Sequence, residues 1–497
     1  MSGEPMILVL DAGTSSVRAL LYSAQGHAVA TAQREITQYY PQPGWVEHDP
    51  IEIWERTLAC ARDVVASAGA GAGAGDAGRI VAIGIANQRE TAVAWDKTSG
   101  TPLTRAIVWQ DRRTADACTA LRDAGHEPAV SAATGLVLDP YFSATKWRWM
   151  LDHVPAVAAA GDRLALGTVE SWLVWKLSGG AHVTDASNAS RTLLLPLDGA
   201  SFDRGLCDLF GVPHAGLPHV VDMAGMIAAC DPQWLGTAIP ICGLAGDQQA
   251  AAIGQGCREV GATKATFGTG AFILTATGTA PLRSSHRLLT TVLSQVDGHR
   301  HYAVEGSVFV AGSMIKWLRD GLGWIDHARD TEALARENDN GGVTVVPALA
   351  GLGAPYWRPD ATGAIFGLTL GTQRAQIVRA ALESISHQCH DLQRAFAADG
   401  APWRSLRIDG GMSPNNWLAQ DLADILELPV ERPADVESTA RGAAILAAVG
   451  FGLLPGLDDT GGFIPDMTCF APAMPRGEIQ TRLRAWSDAV ERVLKAS

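Results

Sequence analysis

The chain predicts a duplicated α/β fold, two similar halves side by side, and three glycine turns point to it. The first lies near the start, where the apolar run Met6–Asp11 is followed by Gly13–Ser16 and then Val17–Tyr22. The second lies about 250 residues later, where Thr263–Phe267 and Ala271–Thr277 flank Gly268-Thr269-Gly270. The third, Gly410-Gly411, follows Leu406–Asp409 and opens the helical pattern Asn415–Leu426. Turns with little side chain and closely spaced N–H groups suit a phosphate, so a nucleotide would lie in the cleft between the halves.

Taken in order, the elements support this. The first two runs read as a hairpin whose turn carries the hydroxyls of Thr14, Ser15 and Ser16. Ile53, Trp54, Leu58 and Val64 recur at helical spacing, which predicts a helix over Pro50–Ala66. The Gly/Ala stretch Ala66–Gly78 reads as a surface loop. Its Gly73, Gly75 and Gly78 match a dinucleotide fingerprint, but they precede a strand instead of following one. Ile80–Ala86 is that strand, and helices and loops are expected from Trp95 to about residue 240. Ile239–Ala245 is a buried strand leading into Asp247, and Thr439–Val449 is an Ala-rich helix. The halves divide into residues 1–252 and 253–497. A Walker A loop is missing, since Gly256-x4-Gly261-Ala262-Thr263 lacks the lysine.

Length and composition narrow the function. A chain of 497 residues, 47% hydrophobic and 18% charged, suits a soluble enzyme of two or more domains. A net charge of -13 without a basic cluster excludes a nucleic-acid partner. No apolar run nears the ~18 residues of a membrane span, and no secretory signal is visible, so no membrane insertion and a cytoplasmic setting are expected. The eight cysteines form no Cys-x-x-Cys pair and read as free thiols.

Asp247 stands about 20 residues before the second glycine turn, and a carboxylate near a phosphate is a metal ligand or a base for a hydroxyl. It also fits a helix cap. Arg89 and Glu90 end a strand, where adjacent opposite charges are often a solvated rim; otherwise they donate to and accept from the neighbouring hydroxyls of a polyol. Trp109 could be core or ligand wall, Asp139-Pro140-Tyr141-Phe142 could be only a turn, and Phe272 could be core.

In this order the motifs resemble the FGGY carbohydrate kinase family. The matching stretches are LDAGTSSVRAL (10–20), PGWVEHDP (43–50), NQRET (87–91), VWQDRRT (108–114), DPYFSATK (139–146), GTVESWLVWKL (167–177) and HVTDASNASRT (182–192). They continue with GLAGDQQAA (243–251), FGTGAF (267–272), GLGAPYWRPDATGAIFGLT (351–369) and DGGMSPNNWL (409–418). NQRET, DPYF and GLGAPYW are similar to the glycerol branch. The resemblance implies two actin-like, RNase H-like domains, with ATP and Mg2+ used to phosphorylate glycerol. It implies a glycerol site of Arg89, Glu90, Trp109, Tyr141, Asp247, Gln248 and Phe272, with Asp247 as catalytic base. Thr14, Ser15, Ser16, Arg18 and Thr269 would hold phosphates, and Gly312, Lys316, Gly411, Met412 and Asn415 would surround the adenosine. Asp11 would hold Mg2+ through water, with Asp247 nearby. The resemblance also implies an assembly of two or four copies.

The same resemblance leaves rivals: a kinase for erythritol, dihydroxyacetone or a ketopentose, or an actin-like nucleotide binder without transferase activity. Ala12, Lys316, Thr362 and Arg441 depart from the usual pattern. Gly236-Thr237-Ala238-Ile239 replaces a basic loop for fructose 1,6-bisphosphate, which implies little inhibition by that sugar. Ala224–Ala229 lacks the His that some relatives phosphorylate.

Overall fold

The computed structural model describes residues 4–69, 80–358, 360–435 and 437–496. Thirteen strands form one continuous sheet that contains the same motif twice. On the N-terminal side, Met6–Ala12, Ser16–Ser23 and Ala28–Glu35 make an antiparallel meander. The other edge of Met6–Ala12 continues into the parallel strands Ile80–Asn87 and Pro240–Gly246. On the C-terminal side, Ala262–Phe267, Ala271–Gly278 and His299–Val308 are the antiparallel set. Ser405–Asp409 and Val430–Pro433 are its parallel neighbours. The duplicated α/β architecture read from the glycine turns is therefore present. Met6–Ala12 is buried at all of its positions, as expected for a strand with neighbours on both edges and layers on both faces.

Two further strands join the motifs. Leu289–Val296 pairs with His299–Val308, and Ala224–Ala229 pairs with Pro240–Gly246. They meet at Ala224 and Val296. Below this junction the helix Ser438–Phe451 crosses from the C-terminal half onto Ile80–Asn87, Pro240–Gly246 and the helix Asp247–Gly254. Its small residues have a steric reason. A Cβ on Gly442 would come within 1.8 Å of the Ala250 carbonyl oxygen, and one on Gly254 within 2.0 Å of that of Ser438. This backbone-to-backbone seam sets the helix whose first residue is Asp247.

Several boundaries differ from expectation. The first helix runs over Pro50–Gly69, past Ala66, because the alanines of the Gly/Ala stretch are strong helix formers. Gly73, Gly75 and Gly78 lie outside the described residues. The region read as helices and loops also holds the short strands Leu164–Gly167, Val183–Asp185 and His219–Val221. Strands that short are too brief for an alternating pattern to register. Among the described residues all eight cysteines are free thiols, and no helix is long and apolar enough to cross a membrane.

Candidate active site

Arg89 follows the strand Ile80–Asn87 and is 2% exposed, so the pair Arg89–Glu90 is no solvated rim. A buried guanidinium requires partners, and Arg89 has several. Its Nη1 and Nη2 donate to the two carboxylate oxygens of Glu305, at 2.6 and 3.1 Å. Nη2 also donates to the Tyr141 hydroxyl at 3.3 Å, and Nε faces Asp247 Oδ1 at 3.3 Å. Glu90 adopts a left-handed backbone, φ 59°, unusual for a residue with a side chain. Its carbonyl accepts from Ser143 Oγ at 3.1 Å and from the buried Lys146 Nζ at 3.3 Å. Its carboxylate accepts from Arg191 Nε at 2.6 Å.

Three aromatic rings close the other side. Trp109 packs edge-on against Tyr141 and Phe272, with centroids 5.7 and 5.8 Å apart. Asp139-Pro140-Tyr141-Phe142 is indeed a turn, closed by Tyr141 N donating to Asp139 Oδ1 at 2.9 Å, and it also delivers Tyr141 to the pocket. Trp109 Nε1 donates to Thr14 Oγ1 at 2.9 Å. Phe272 lies two residues past Gly270, so the first glycine turn, the ring wall and the second turn form one run of contacts.

The N-cap position is Gly246, and Asp247 begins the helix; its Oδ1 accepts from Gln248 N at 2.7 Å, while its side chain is 29% exposed at the pocket. Burial pushes its carboxyl up to about 6; Arg89 opposes the rise, and the nearby negative charges of Glu90 and Asp11 add to it. A carboxylate tuned to that range is a competent base near neutral pH. Gln248 accepts from Lys264 Nζ, a fully buried lysine on the C-terminal side that also donates to Thr266 Oγ1 at 2.8 Å. Six of the seven residues expected at a polyol site are thus linked through their side chains, and Gln248 joins them by its backbone N–H, which donates to Asp247 Oδ1 at 2.7 Å. Burial alone would raise the Glu305 carboxyl, but Arg191 and Arg89 outweigh it and hold it at about 2. Burial lowers the Lys146 ammonium to about 8.

The second region is a groove of about 280 Å³ lined by Gly312, Lys316, Gly411, Met412 and Asn415 with Arg319, Arg329, Thr331 and Glu332 among others. Glycines let its walls meet. Gly312 N donates to Gly268 O at 2.9 Å, and a Cβ on Gly312 would come within 2.4 Å of that oxygen. Gly410 has φ 85° and lies against the Phe267 backbone. Asn415 caps the helix Asn416–Leu426 by accepting from Leu418 N at 3.0 Å. Lys316 is exposed on the groove wall, followed by the single π-turn Trp317–Gly321.

The first turn is closed by Gly13 N donating to Ser16 O at 3.0 Å, with Ser15 exposed. Ser16 Oγ accepts from Gln33 Nε2 at 3.0 Å. Arg18 bonds Asp11 at 2.6 Å and also pairs with Glu437 of the C-terminal half. Thr269 is exposed, and its carbonyl accepts from Ala311 N and Ser313 N, both at 3.0 Å. Arg441, the late-helix departure, is buried and bonds Asp435 at 2.5 Å.

Sequence reasoning missed Glu305, Lys146 and Lys264, and assigned no role to Arg191. A usable signal existed for Glu305, the lone charge in the mainly apolar Tyr302–Val310, because a charge in a buried strand demands a partner.

Comparison with known proteins agrees with this architecture. Residues 6–254 match the N-terminal domain of the FGGY family of carbohydrate kinases, and residues 263–451 match its C-terminal domain. A curated glycerol kinase of Ectopseudomonas mendocina is 52% identical over 492 residues, 98% of either chain. The crystal structure of Plasmodium falciparum glycerol kinase with ADP superposes with a TM-score of 0.93 at 32% identity, covering 99% of this chain and 98% of that one. A xylulose kinase from Rhodospirillum rubrum shares the fold at TM-score 0.87 and 26% identity, covering 99% of both chains. Two matched domains, two glycine turns and one cluster between them lead to the same conclusion: the chain belongs to the FGGY family of carbohydrate kinases.

Proposed function

We propose that this protein transfers the γ-phosphoryl group of ATP to glycerol, giving sn-glycerol 3-phosphate. The observation that carries the reading is the cluster of Arg89, Glu90, Tyr141, Asp247 and Gln248, walled by Trp109 and Phe272. Arg89 and Tyr141 donate to hydroxyls, Glu90 and Gln248 accept from them, and the two rings cover the C–H side. Asp247 takes the proton of the attacking hydroxyl as its oxygen moves in line toward the phosphorus. Most of the rate enhancement comes from holding the two substrates together and excluding water, a competing acceptor.

Phosphates lie between the turns of Thr14, Ser15, Ser16 and Thr269, with Arg18 held behind them by Asp11 and Glu437. The adenosine lies in the groove of Gly312, Lys316, Gly411, Met412 and Asn415. Asp11 and Asp247 are near enough for their charges to act on one another. Mg2+ held by Asp11 through water, with Asp247 nearby, would neutralise charge on the transferring phosphoryl group.

The proposal includes a division at residues 252 and 253, a cytoplasmic setting and an assembly of two or four chains. Free thiols support the setting, and the exposed Leu368 and Leu370 support an interface between copies. The three-ring wall argues against a four- or five-carbon substrate, and the assembled polar set argues against an actin-like scaffold without activity. The test is ADP release with ATP and Mg2+ across glycerol, dihydroxyacetone, erythritol, xylulose, ribulose and no acceptor. A clear kcat/KM preference for glycerol is expected. Preference for a longer polyol would overturn the substrate, and acceptor-independent hydrolysis would overturn the transfer.

A further inference from the structure

The residues expected to touch the polyol belong mostly to the N-terminal half, yet the carboxylate that holds two of them in place comes from the other half. Glu305 lies on the strand His299–Val308. One of its oxygens accepts from Arg89 Nη1 at 2.6 Å, and the other from Arg89 Nη2 at 3.1 Å and Arg191 Nη2 at 2.9 Å. Arg191 in turn donates its Nε to Glu90 at 2.6 Å. Arg89, Glu90, Arg191 and Glu305 are all 2% exposed or less, so water cannot substitute for a missing partner.

We propose that Glu305 is a positioning residue for the polyol pocket, presetting the donor Arg89 directly and the acceptor Glu90 through Arg191. This rests on the polyol reading of that pocket. The four groups balance, two guanidiniums against two carboxylates. Arg89 Nε already pairs with Asp247 Oδ1 at 3.3 Å, beside the space where a hydroxyl must enter. The two bonds to Glu305 commit Nη1 and Nη2 elsewhere. Without them the guanidinium is free to swing, and a forked pairing with Asp247 would occupy both oxygens of the base and fill the substrate space. The strand that carries Glu305 pairs with Ala271–Gly278, directly after the second glycine turn. Polyol geometry is therefore set from the half that carries the nucleotide groove.

The test compares Glu305→Gln, Arg89→Met and the charge-balanced double variant Glu305→Gln/Arg191→Met with the parent enzyme, measuring KM for glycerol, KM for ATP, kcat and Tm. For Glu305→Gln the glycerol KM should rise about 10–100-fold, the range in which groups acting through a direct ligand usually operate, while the ATP KM stays within about threefold. The double variant should regain Tm but not the glycerol KM, because charge balance returns and orientation does not. If its glycerol KM equals that of the parent, Glu305 merely neutralises charge and the proposal falls. If Arg89→Met raises the glycerol KM but Glu305→Gln does not, the proposal alone falls. If Arg89→Met leaves it unchanged, the polyol reading falls as well. Should Glu305→Gln yield no folded protein, Glu305→Asp decides: the charge stays but retracts by one methylene. A raised glycerol KM with Tm retained supports positioning, and an unchanged KM overturns it.

Discussion

The pocket around Arg89 and the groove around Gly312 are built on opposite principles. In the pocket, most charged side chains are buried and bonded to a partner: Arg89 to Glu305, Arg191 to Glu90, and Lys264 to the neutral Gln248. In the groove, glycines bring backbone against backbone, and the charged residues Lys316 and Arg319 stand exposed on its wall. The proposed ligands account for the difference: a small neutral polyol would bring no charge, so the pocket must supply fixed dipoles and hold them against collapse. A nucleotide triphosphate would bring its own charge, so closely spaced N–H groups and room are enough. Side-chain changes should therefore hurt most in the pocket, and backbone changes most in the groove.

The largest expected effect tests the pocket at its base. Asp247→Asn should lower kcat by roughly 10²–10⁴-fold while ADP binding, followed by calorimetry, stays near that of the parent. Turnover close to normal would remove Asp247 from the mechanism. Next, Arg191→Met leaves the Glu305 and Glu90 carboxylates short of a buried partner. Denaturant unfolding should show a loss of about 3–5 kcal/mol, since breaking a buried pair strands its charge. A loss below 1 kcal/mol would mean that water reaches the cluster after all.

In the groove, Gly312→Ala should cost about 1–3 kcal/mol in stability, because the new methyl meets the Gly268 carbonyl. It should raise the ATP KM and leave the glycerol KM alone. Equal changes in both would break the contrast between the two regions. The raised carboxyl of Asp247 predicts an acid limb in kcat/KM for glycerol near pH 6. Below it the group is protonated and cannot accept, so activity should fall about tenfold per pH unit, and above it activity should level off. A limb near pH 4 would show that bound nucleotide and cation restore the ordinary carboxyl range. The smallest effect is expected for Lys316→Gln. An exposed cation contributes little, so the ATP KM should move by no more than a few-fold. A large change would make Lys316 a true phosphate contact and narrow the contrast.

How much of this was legible depended on the distance over which each feature is encoded. The paired hairpins and their glycine turns were readable because a strand, a turn and its return are local, and glycine marks where a side chain cannot fit. The expected polyol residues were readable as motifs and are found in contact, from Arg89 with Asp247 to Trp109 with Phe272. The helix end at Gly69 was misjudged because alanine and glycine side by side pull the backbone in opposite directions.

The sequence by itself determined the duplicated α/β fold, the positions of the glycine turns and the chemical types of the residues that meet in the pocket. All of these follow from residue identity and near-neighbour spacing. Only the tertiary structure decided which charges neutralise one another. Glu305 lies 216 residues from Arg89, and Glu437 lies 419 from Arg18. No local pattern carries such a pairing, because it exists only where burial forces two distant charges to share one dry site. The same holds for the seam beneath Asp247, where Gly254 and Gly442 are small because another helix backbone lies against each.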